Sequence, residues 1–404
     1  MDLVDQFMLY TDGLQSSILY RKWCAITMIG GAMERRIKTV STSRNNKNVN
    51  YANLYVMLIG PPTAGKGVIN IVHNLWESTI NGVKANAFYC APHDVTKAAL
   101  VDSLAAAKQT HIATNYKYHC LLFAAEEFSG TFAKFEGDFL SFLTIIWNAP
   151  SSFIELRRSR EVKKIKIDEP LMTILAGYQP EMLNKILLKD AADQGFLRRC
   201  IVIWNERADL IPIFGDDSSD AFFNNSLRGD ILERLSEISG LAGEMEWDQD
   251  AKTFFNKGHM SGWKPQPTHS RLTNYLGTRS QFILKLSMIA SISESTDMRV
   301  QLHHVERARQ WLLEAETTMP DAFDHIKGES DSHAIERYMA HLLKQQNEGI
   351  TITNAVLMTT TALHFITPKV KPILAHIMEM EFVVKRSDGT WRVTGKGFKP
   401  SVQA

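Results

Sequence analysis

No stretch constrains this chain more than Asn53 to Gly67, NLYVMLIGPPTAGKG. The apolar and aromatic residues from Leu54 to Ile59 read as a buried strand, and Gly60-Pro61-Pro62-Thr63-Ala64-Gly65-Lys66 reads as a turn. Val68 to Trp76 then follows with the spacing of an amphipathic helix. In that order, the glycines let backbone N–H groups approach a polyphosphate closely. Lys66 adds a point charge on the outer phosphates, and the new helix aims its positive N-terminal end at the anion. The residues expected to line such a site are Gly60, Pro61, Pro62, Thr63, Ala64, Gly65, Lys66, Gly67 and Val68. One of them departs from the usual pattern, since Gly67 stands where a Ser or Thr hydroxyl normally reaches Mg2+. A glycine turn matching by chance is the bland alternative, and the strand before it and helix after it argue against that.

With 404 residues the chain is long enough for two or three domains and at least one sizeable core. Its formal charge is +1, so any contact with nucleic acid must come from local basic clusters. No apolar run approaches the ~18 residues of a membrane span, and Met1-Asp2 before Val4 to Leu9 lacks a basic leader, so neither signal nor anchor is expected. Cys24, Cys90, Cys120 and Cys200 are far apart and no CxxC or HxxxH spacing suggests zinc, which fits reduced thiols in a cytoplasm, bacterial or host.

Residues 1 to 40 read as helical, with apolar faces at Leu14, Ile18, Leu19, Trp23, Ile26, Met28 and Ile29, and Ser41 to Asn50 reads as a polar, Asn-rich connection. After the first strand and helix, Ala85 to Cys90 is expected to be a second short strand, and Asp94 or Thr96 the cap of a helix running through Leu104. Tyr118 to Ala124 is a third strand that ends in Glu126-Glu127. A carboxylate pair past the end of a core strand can hold a metal ion with one acid and polarise a water with the other. It can equally be the acidic start of a helix, where Glu is favoured.

Phe153 to Ile167, FIELRRSREVKKIKI, alternates at both ends and concentrates Arg157, Arg158, Arg160, Lys163, Lys164 and Lys166 around its middle, the pattern of a two-stranded hairpin carrying cations. Such a hairpin holds phosphates without sequence preference, or is an edge hairpin blunted by charge. Leu171 to Ala176 is the next strand, with Gln179 in the turn after it and a helix from Glu181. Arg198 and Arg199 directly precede the strand Cys200 to Trp204, at an edge where a neighbouring subunit's phosphate can sit.

About five strands alternating with helices give a parallel α/β sheet. A polar connection from 206 to 220 leads to a helical region in which Arg271 to Ser293 forms one long helix or two, carrying Arg279 and Lys285, and Val300 to Ala315 forms another. Arg279 either reaches back toward the nucleotide or is a helix-face arginine paired with a carboxylate. Beyond the polar stretch from Asp321 to Ser332 the order is helix, short strand, helix, helix and a hairpin turning at Asp388-Gly389, the order of a winged helix. Lys369, Lys371 and His376 lie on its candidate recognition helix and Lys385, Arg386, Arg392 and Lys396 on or beside the wing. Winged helices contact DNA phosphates or dock proteins. The domains read as a helical lead-in (1–50), an α/β core (51–210), a helical lid (211–320) and the terminal unit (330–400).

With these motifs in hand, the chain resembles the AAA+ helicases of prophages and mobile elements, which are similar to the minichromosome maintenance helicases. The matching stretches are GPPTAGKG at 60–67, LLFAAEEF at 121–128, the basic hairpin before LMTILAGYQP, GFLRRCIVI at 195–203, TRSQFILKLSMIA from 278 and the terminal winged helix. The resemblance implies an AAA+ phosphate-loop sheet with a helical lid, a ring that is usually a hexamer, and ATP with Mg2+ between subunits. By position it assigns Lys66 to the β and γ phosphates, Glu126 to the metal, Glu127 to the water and Gln179 to the first sensor. Arg199 falls at the finger supplied in trans, with Arg198 as its substitute, and Arg279 at the second sensor. The 153–167 hairpin falls at the element that grips DNA in the pore. The activity implied is ATP-driven unwinding on single-stranded and forked DNA, beside a primase-polymerase in some elements. The alternative is a helicase loader or initiator that binds DNA without unwinding it.

Overall fold

The computed structural model describes all residues except 44–45, 81–82, 85–87, 93–95, 128–136, 159–161, 181–191, 209, 212–219, 270–271, 326–330, 365–373 and 395–404. Two helices come first, α1 (Leu3–Tyr10) and α2 (Ile18–Met33). Each is started by a side chain that accepts an otherwise orphaned amide: Asp2 Oδ1 from Val4 N at 2.8 Å, and Ser17 Oγ from Tyr20 N at 3.2 Å. From Tyr20 to Met33, α2 buries every side chain but Lys22, as a helix surrounded by protein must.

The polar connection expected at Ser41 to Asn50 is instead part of an antiparallel hairpin, β1 (Ile37–Ser43) and β2 (Asn46–Tyr51), with Val40 opposite Val49. The helix expected through residue 40 therefore stops early. Thr39, Val40 and Thr42 are β-branched, and the asparagines hid their strand preference.

The main sheet is built from β3 (Tyr55–Ile59), β6 (Lys108–His111), β7 (Tyr116–Ala125), β10 (Pro170–Tyr178) and β11 (Cys200–Trp204). Between them run α3 (Val68–Trp76), the two-residue strands β4 (Thr79–Ile80) and β5 (Val83–Lys84), α4 (Lys97–Ala106), α5 (Gly137–Trp147), the hairpin β8 (Ser152–Arg158) with β9 (Val162–Asp168), and α6 (Ala192–Leu197). The order across the sheet is β11-β3-β10-β7-β6; all neighbours are parallel except β6, which runs against β7. Central β3 and β10 are buried at every residue, which a parallel sheet covered on both faces requires. The register sets Ile59 opposite both Tyr178 and Trp204 and Ala125 opposite Ala176, so the carboxyl ends of β3, β10, β7 and β11 finish along one edge.

Residues 85–87 of the expected second strand lie outside the described residues. Its last residue, Cys90, makes a parallel bridge to Leu122 on the side of β7 away from β10. Thr96 caps α4, its hydroxyl accepting from Ala99 N at 3.2 Å, whereas Asp94 and the helix from Glu181 lie outside the described residues.

The helical region comprises α7 (Asp220–Gly240), α8 (Gln249–Ser261), α9 (Thr273–Leu276), α10 (Arg279–Glu294) and α11 (Leu302–His325), with short strands β12 (Gly243–Glu244), β13 (Glu246–Trp247) and β14 (Arg299–Val300). The span Arg271 to Ser293 thus comes as two helices. Arg36 ties this region to the amino-terminal one by donating to Ile238 O, in the last turn of α7, at 2.9 Å and to Leu241 O, just past its end, at 2.9 Å. Side chains from α2, the sheet, α10 and α11 share one hydrophobic core.

Residues Met1–Ile326 form one compact unit and Lys327–Ala404 another. The second holds α12 (Asp331–Asn347), α13 (Asn354–His364), a helical stretch at 374–379 and the hairpin β15 (Val383–Lys385) with β16 (Trp391–Val393), which Ile352 joins through a bridge to Trp391. Tyr338, Leu342, Ile352, Leu357, Ile377, Val383 and Val393 make its separate core. Lys369, Lys371 and Lys396 lie outside the described residues. Among the described residues no helix is long and apolar enough to cross a membrane.

Candidate functional site

Where β3 ends, Pro62–Ala64 makes one tight turn and the chain enters α3 through Gly65, Lys66 and Gly67. Gly65 has a φ of +79°, and a Cβ there would come within 2.2 Å of Gln15 O, so no other residue fits without moving the loop. The loop is braced from behind: Tyr20 Oη donates to Ile59 O at 2.6 Å, Asn205 Nδ2 to Ala64 O at 3.2 Å, and Ala208 N to Thr63 O at 3.1 Å. Lys66 is buried and donates to Gly60 O at 2.7 Å and Pro61 O at 2.8 Å. Pro62, Thr63 and Gly67 are exposed, Pro61 and Gly65 half-buried, and Ala64 and Val68 buried. The amides of Gly65 and Gly67 find no hydrogen-bond partner among the described residues. A loop braced from behind, with two amides unengaged among the described residues and a lysine folded against it, can take an anion without rearranging its frame.

The carboxylates stand beside this loop because β7 ends one strand away from β3, with β10 between them. At the end of β10, Gly177 makes the approach feasible: a Cβ there would lie 2.0 Å from Glu126 O and 3.2 Å from Lys66 Cδ. Glu126 is half-buried and Glu127 exposed. Asn70 Nδ2 donates to Glu126 Oε2 at 2.7 Å, and Gln179 Nε2 reaches Glu127 Oε1 at 3.4 Å. Lys66, Glu126, Glu127 and Gln179, distant in sequence, thus meet at one edge of the sheet.

The two arginines before β11 separate. Arg198 is exposed, whereas Arg199 is 8% exposed, donates to Gly195 O at 2.6 Å, and lies over the Trp147 ring with its guanidinium carbon 5.5 Å from the centroid. Burial, with Arg198 next to it, lowers the pKa of Arg199. Arg199, the residue expected to reach a neighbouring subunit, is packed into its own chain; the exposed member of the pair is Arg198. Close by, Lys285 is buried, donating to Asn53 O at 2.9 Å and Asn53 Oδ1 at 2.6 Å with its ammonium 4.1 Å from the Trp147 centroid. Burial, then the charge of Arg199, pulls its pKa well below the usual lysine range.

Arg279 is also turned inward. Its Nε donates to Glu316 Oε1 at 2.6 Å and its Nη2 to Glu316 Oε2 at 2.7 Å, while further bonds go to the carbonyls of Gly262, Trp263 and Pro265. Of the two readings of this residue, the structure has the arginine paired with a carboxylate, here on α11, and not extended toward the phosphate loop.

The basic hairpin forms over Ser152–Arg158 and Val162–Asp168, with Ile154 opposite Lys166 and Leu156 opposite Lys164. One face, with Ile165 and Ile167, packs inward, and the other presents Ile154, Leu156, Lys164 and Lys166. Lys166 pairs with Asp168 at 2.7 Å. The side chains of Arg157, Arg158 and Lys163, and all of Arg160, lie outside the described residues.

Three side chains elsewhere are spaced like metal ligands, Glu294, His303 and His304. Gln301 N donates to His304 Nδ1 at 3.0 Å, which fixes the proton on Nε2, and Nε2 then donates to Glu294 Oε2 at 3.0 Å. That ring has no lone pair left for a metal.

Sequence reasoning missed Asn70, Tyr20 and Asn205. Only Asn70 carried a signal, lying one helical turn after Gly67 and so on the same face of α3. No protein-family model matches the chain, and no curated protein matches it.

Proposed function

We propose that this chain is an AAA+ ATPase that forms a ring, probing and unwinding DNA as a replicative helicase of a phage or mobile element. The observation that carries the reading is the meeting of Lys66, Glu126, Glu127 and Gln179 at the carboxyl edge of a sheet ordered β11-β3-β10-β7. Nucleotide phosphates lie over Gly60 to Val68, where the amides of Gly65 and Gly67 are open to them. Lys66 exchanges its bonds to Gly60 O and Pro61 O for the β and γ phosphates. The carboxylate of Glu126 fits a hard divalent cation, and Mg2+ bound there with ATP supplies charge neutralisation at the phosphates. Glu127 orients and polarises the attacking water, and Gln179 holds Glu127 in line with it. Arg198 is the finger offered to the neighbouring subunit's nucleotide, in place of Arg199.

The 152–168 hairpin is the element that follows single-stranded DNA, its lysines on phosphates and Ile154 and Leu156 against sugars and bases. The second unit is a winged helix that adds phosphate contacts, and the working assembly is a homo-oligomer, a hexamer by resemblance, acting on forked DNA, in some elements beside a primase-polymerase. A forked-duplex strand-displacement assay tests this. The wild-type chain unwinds with ATP, while Lys66→Ala and Glu127→Gln do not. Unwinding that survives both substitutions rejects the motor, and DNA-stimulated hydrolysis without unwinding makes the chain a loader or initiator.

A further inference from the structure

Two departures from the usual phosphate-loop pattern, Gly67 for a hydroxyl residue and Glu126 for an aspartate, look independent in sequence. In the structure they are neighbours. A Cβ built on Gly67 points at the Glu126 carboxylate, 3.7 Å from Oε1 and 4.0 Å from Oε2. The space that a Ser or Thr side chain would enter therefore opens directly onto the carboxylate. Glutamate is longer than aspartate by one C–C bond, about 1.5 Å, which carries its oxygens into that space.

The third member is Asn70, which follows Gly67 by three residues, so both face the end of β7 from the first turn of α3. Its Nδ2 donates to Glu126 Oε2 at 2.7 Å, a bond of the strength expected between an amide and a carboxylate. Among the described residues no hydrogen bond engages Oε1, the oxygen nearer to Gly67. One oxygen is clamped and the other is left beside the phosphate loop.

We propose that Asn70 is a positioning residue for Glu126, and that the Asn70–Glu126 pair replaces the hydroxyl–aspartate pair as the protein's share of the divalent-cation site. The inference rests on the ATP reading above and deepens it. Gly67 is then part of the design: a hydroxyl there is dispensable because the longer acid, fixed by Asn70, brings Oε1 to the space the hydroxyl would fill, and the small residue leaves room for it.

The test measures affinity for a fluorescent ATP analogue with Mg2+ and with EDTA, and binding of Mn2+ to the nucleotide complex by electron paramagnetic resonance. Asn70→Ala is expected to weaken Mn2+ binding and the Mg2+-dependent part of nucleotide affinity about tenfold, as loss of a residue that orients a metal ligand does, and to leave affinity in EDTA unchanged. Asn70 is half-exposed and alanine favours helix, so the melting temperature should hold. Glu126→Asp alone should lose metal affinity to a similar extent. Adding Gly67→Thr should recover most of it in the Glu126→Asp background, where the shorter acid vacates the space, and none of it in the Asn70→Ala background, where Glu126 still fills it. Metal-dependent nucleotide binding that is indifferent to Asn70→Ala overturns the inference alone. Failure of the wild-type chain to bind the analogue overturns the nucleotide reading, and this inference with it.

Discussion

Arg279 offers a quantitative test of how the helical region is held. Its side chain and that of Glu316 are 3% and 5% exposed, joined by two hydrogen bonds of 2.6 and 2.7 Å. Tyr275 Oη adds a third bond to Glu316 at 3.0 Å. Replacing Arg279 by Met leaves a buried carboxylate whose remaining hydrogen bond among the described residues comes from Tyr275, and takes their donor from the carbonyls of Trp263 and Pro265. Breaking one side of a buried ion pair costs about 3–5 kcal/mol, and at roughly 2 °C per kcal/mol for a unit of this size the melting temperature should fall by about 6–10 °C. Converting both partners, Arg279→Met with Glu316→Leu, removes the stranded charge and should return at least half of the loss, because two apolar groups need no desolvated partner. Thermal melts without nucleotide supply the stability, and titration with an ATP analogue well below melting supplies affinity. If Arg279→Met melts within about 1 °C of wild type and instead weakens nucleotide binding tenfold or more, the guanidinium belongs to the nucleotide and this account of it is wrong.

Three further outcomes follow from the geometry. Arg198→Ala subunits should bind ATP normally yet depress hydrolysis in mixed assemblies by more than their share, whereas Arg199→Ala should chiefly lower the melting temperature; activity that is strictly additive on mixing Arg198→Ala with wild type would remove the shared site. Replacing Ile154, Leu156 and Lys164 together by Ala should weaken single-stranded DNA binding and lower the slope of log K against log salt by about 1 for the lost lysine, and an unchanged affinity and slope would take the hairpin out of the DNA path. Lys285 has a folded-state pKa held well below 10.5 by burial, so the unfolded chain binds the extra proton. Its contribution to stability is complete above pH 10.5 and is lost as the pH falls toward the folded value, giving a rise of up to about 1.4 kcal/mol per pH unit within that window. Urea unfolding of wild type and Lys285→Met between neutral and alkaline pH should show the slope in the first and not in the second; equal slopes would place the effect on other groups.

Much of the sheet was legible in the sequence because its strands are continuous apolar runs with glycine, proline or charge at their ends. Leu54 to Ile59 and Cys200 to Trp204 are of this kind; the separate hairpin was legible for another reason, its alternation of Ile and Lys having the period of a strand. The same continuity conceals phase. Cys200 to Trp204 is buried on both faces, so nothing in the letters says which of the adjacent Arg198 and Arg199 points inward, and packing against Trp147 decides it. Residues 37 to 51 were misread for the opposite reason: their strand signal is carried by threonine and valine among asparagines, and one of their partners, Gly243–Glu244, lies some two hundred residues away. Long-range partnership also accounts for Arg279, since Glu316 is on another helix. Asn70 escaped notice because a helical asparagine is ordinary until the carboxylate opposite it is known.

The central claim, that the loop after β3 and the two glutamates after β7 form one ATP-hydrolysing centre coupled to DNA, is met most directly by steady-state ATP hydrolysis measured with and without single-stranded DNA. The account predicts Mg2+-dependent hydrolysis that DNA accelerates, that Lys66→Ala abolishes through loss of binding, and that Glu127→Gln abolishes while ATP is still held. Hydrolysis that is absent, or that persists at the wild-type rate in Glu127→Gln, would contradict it.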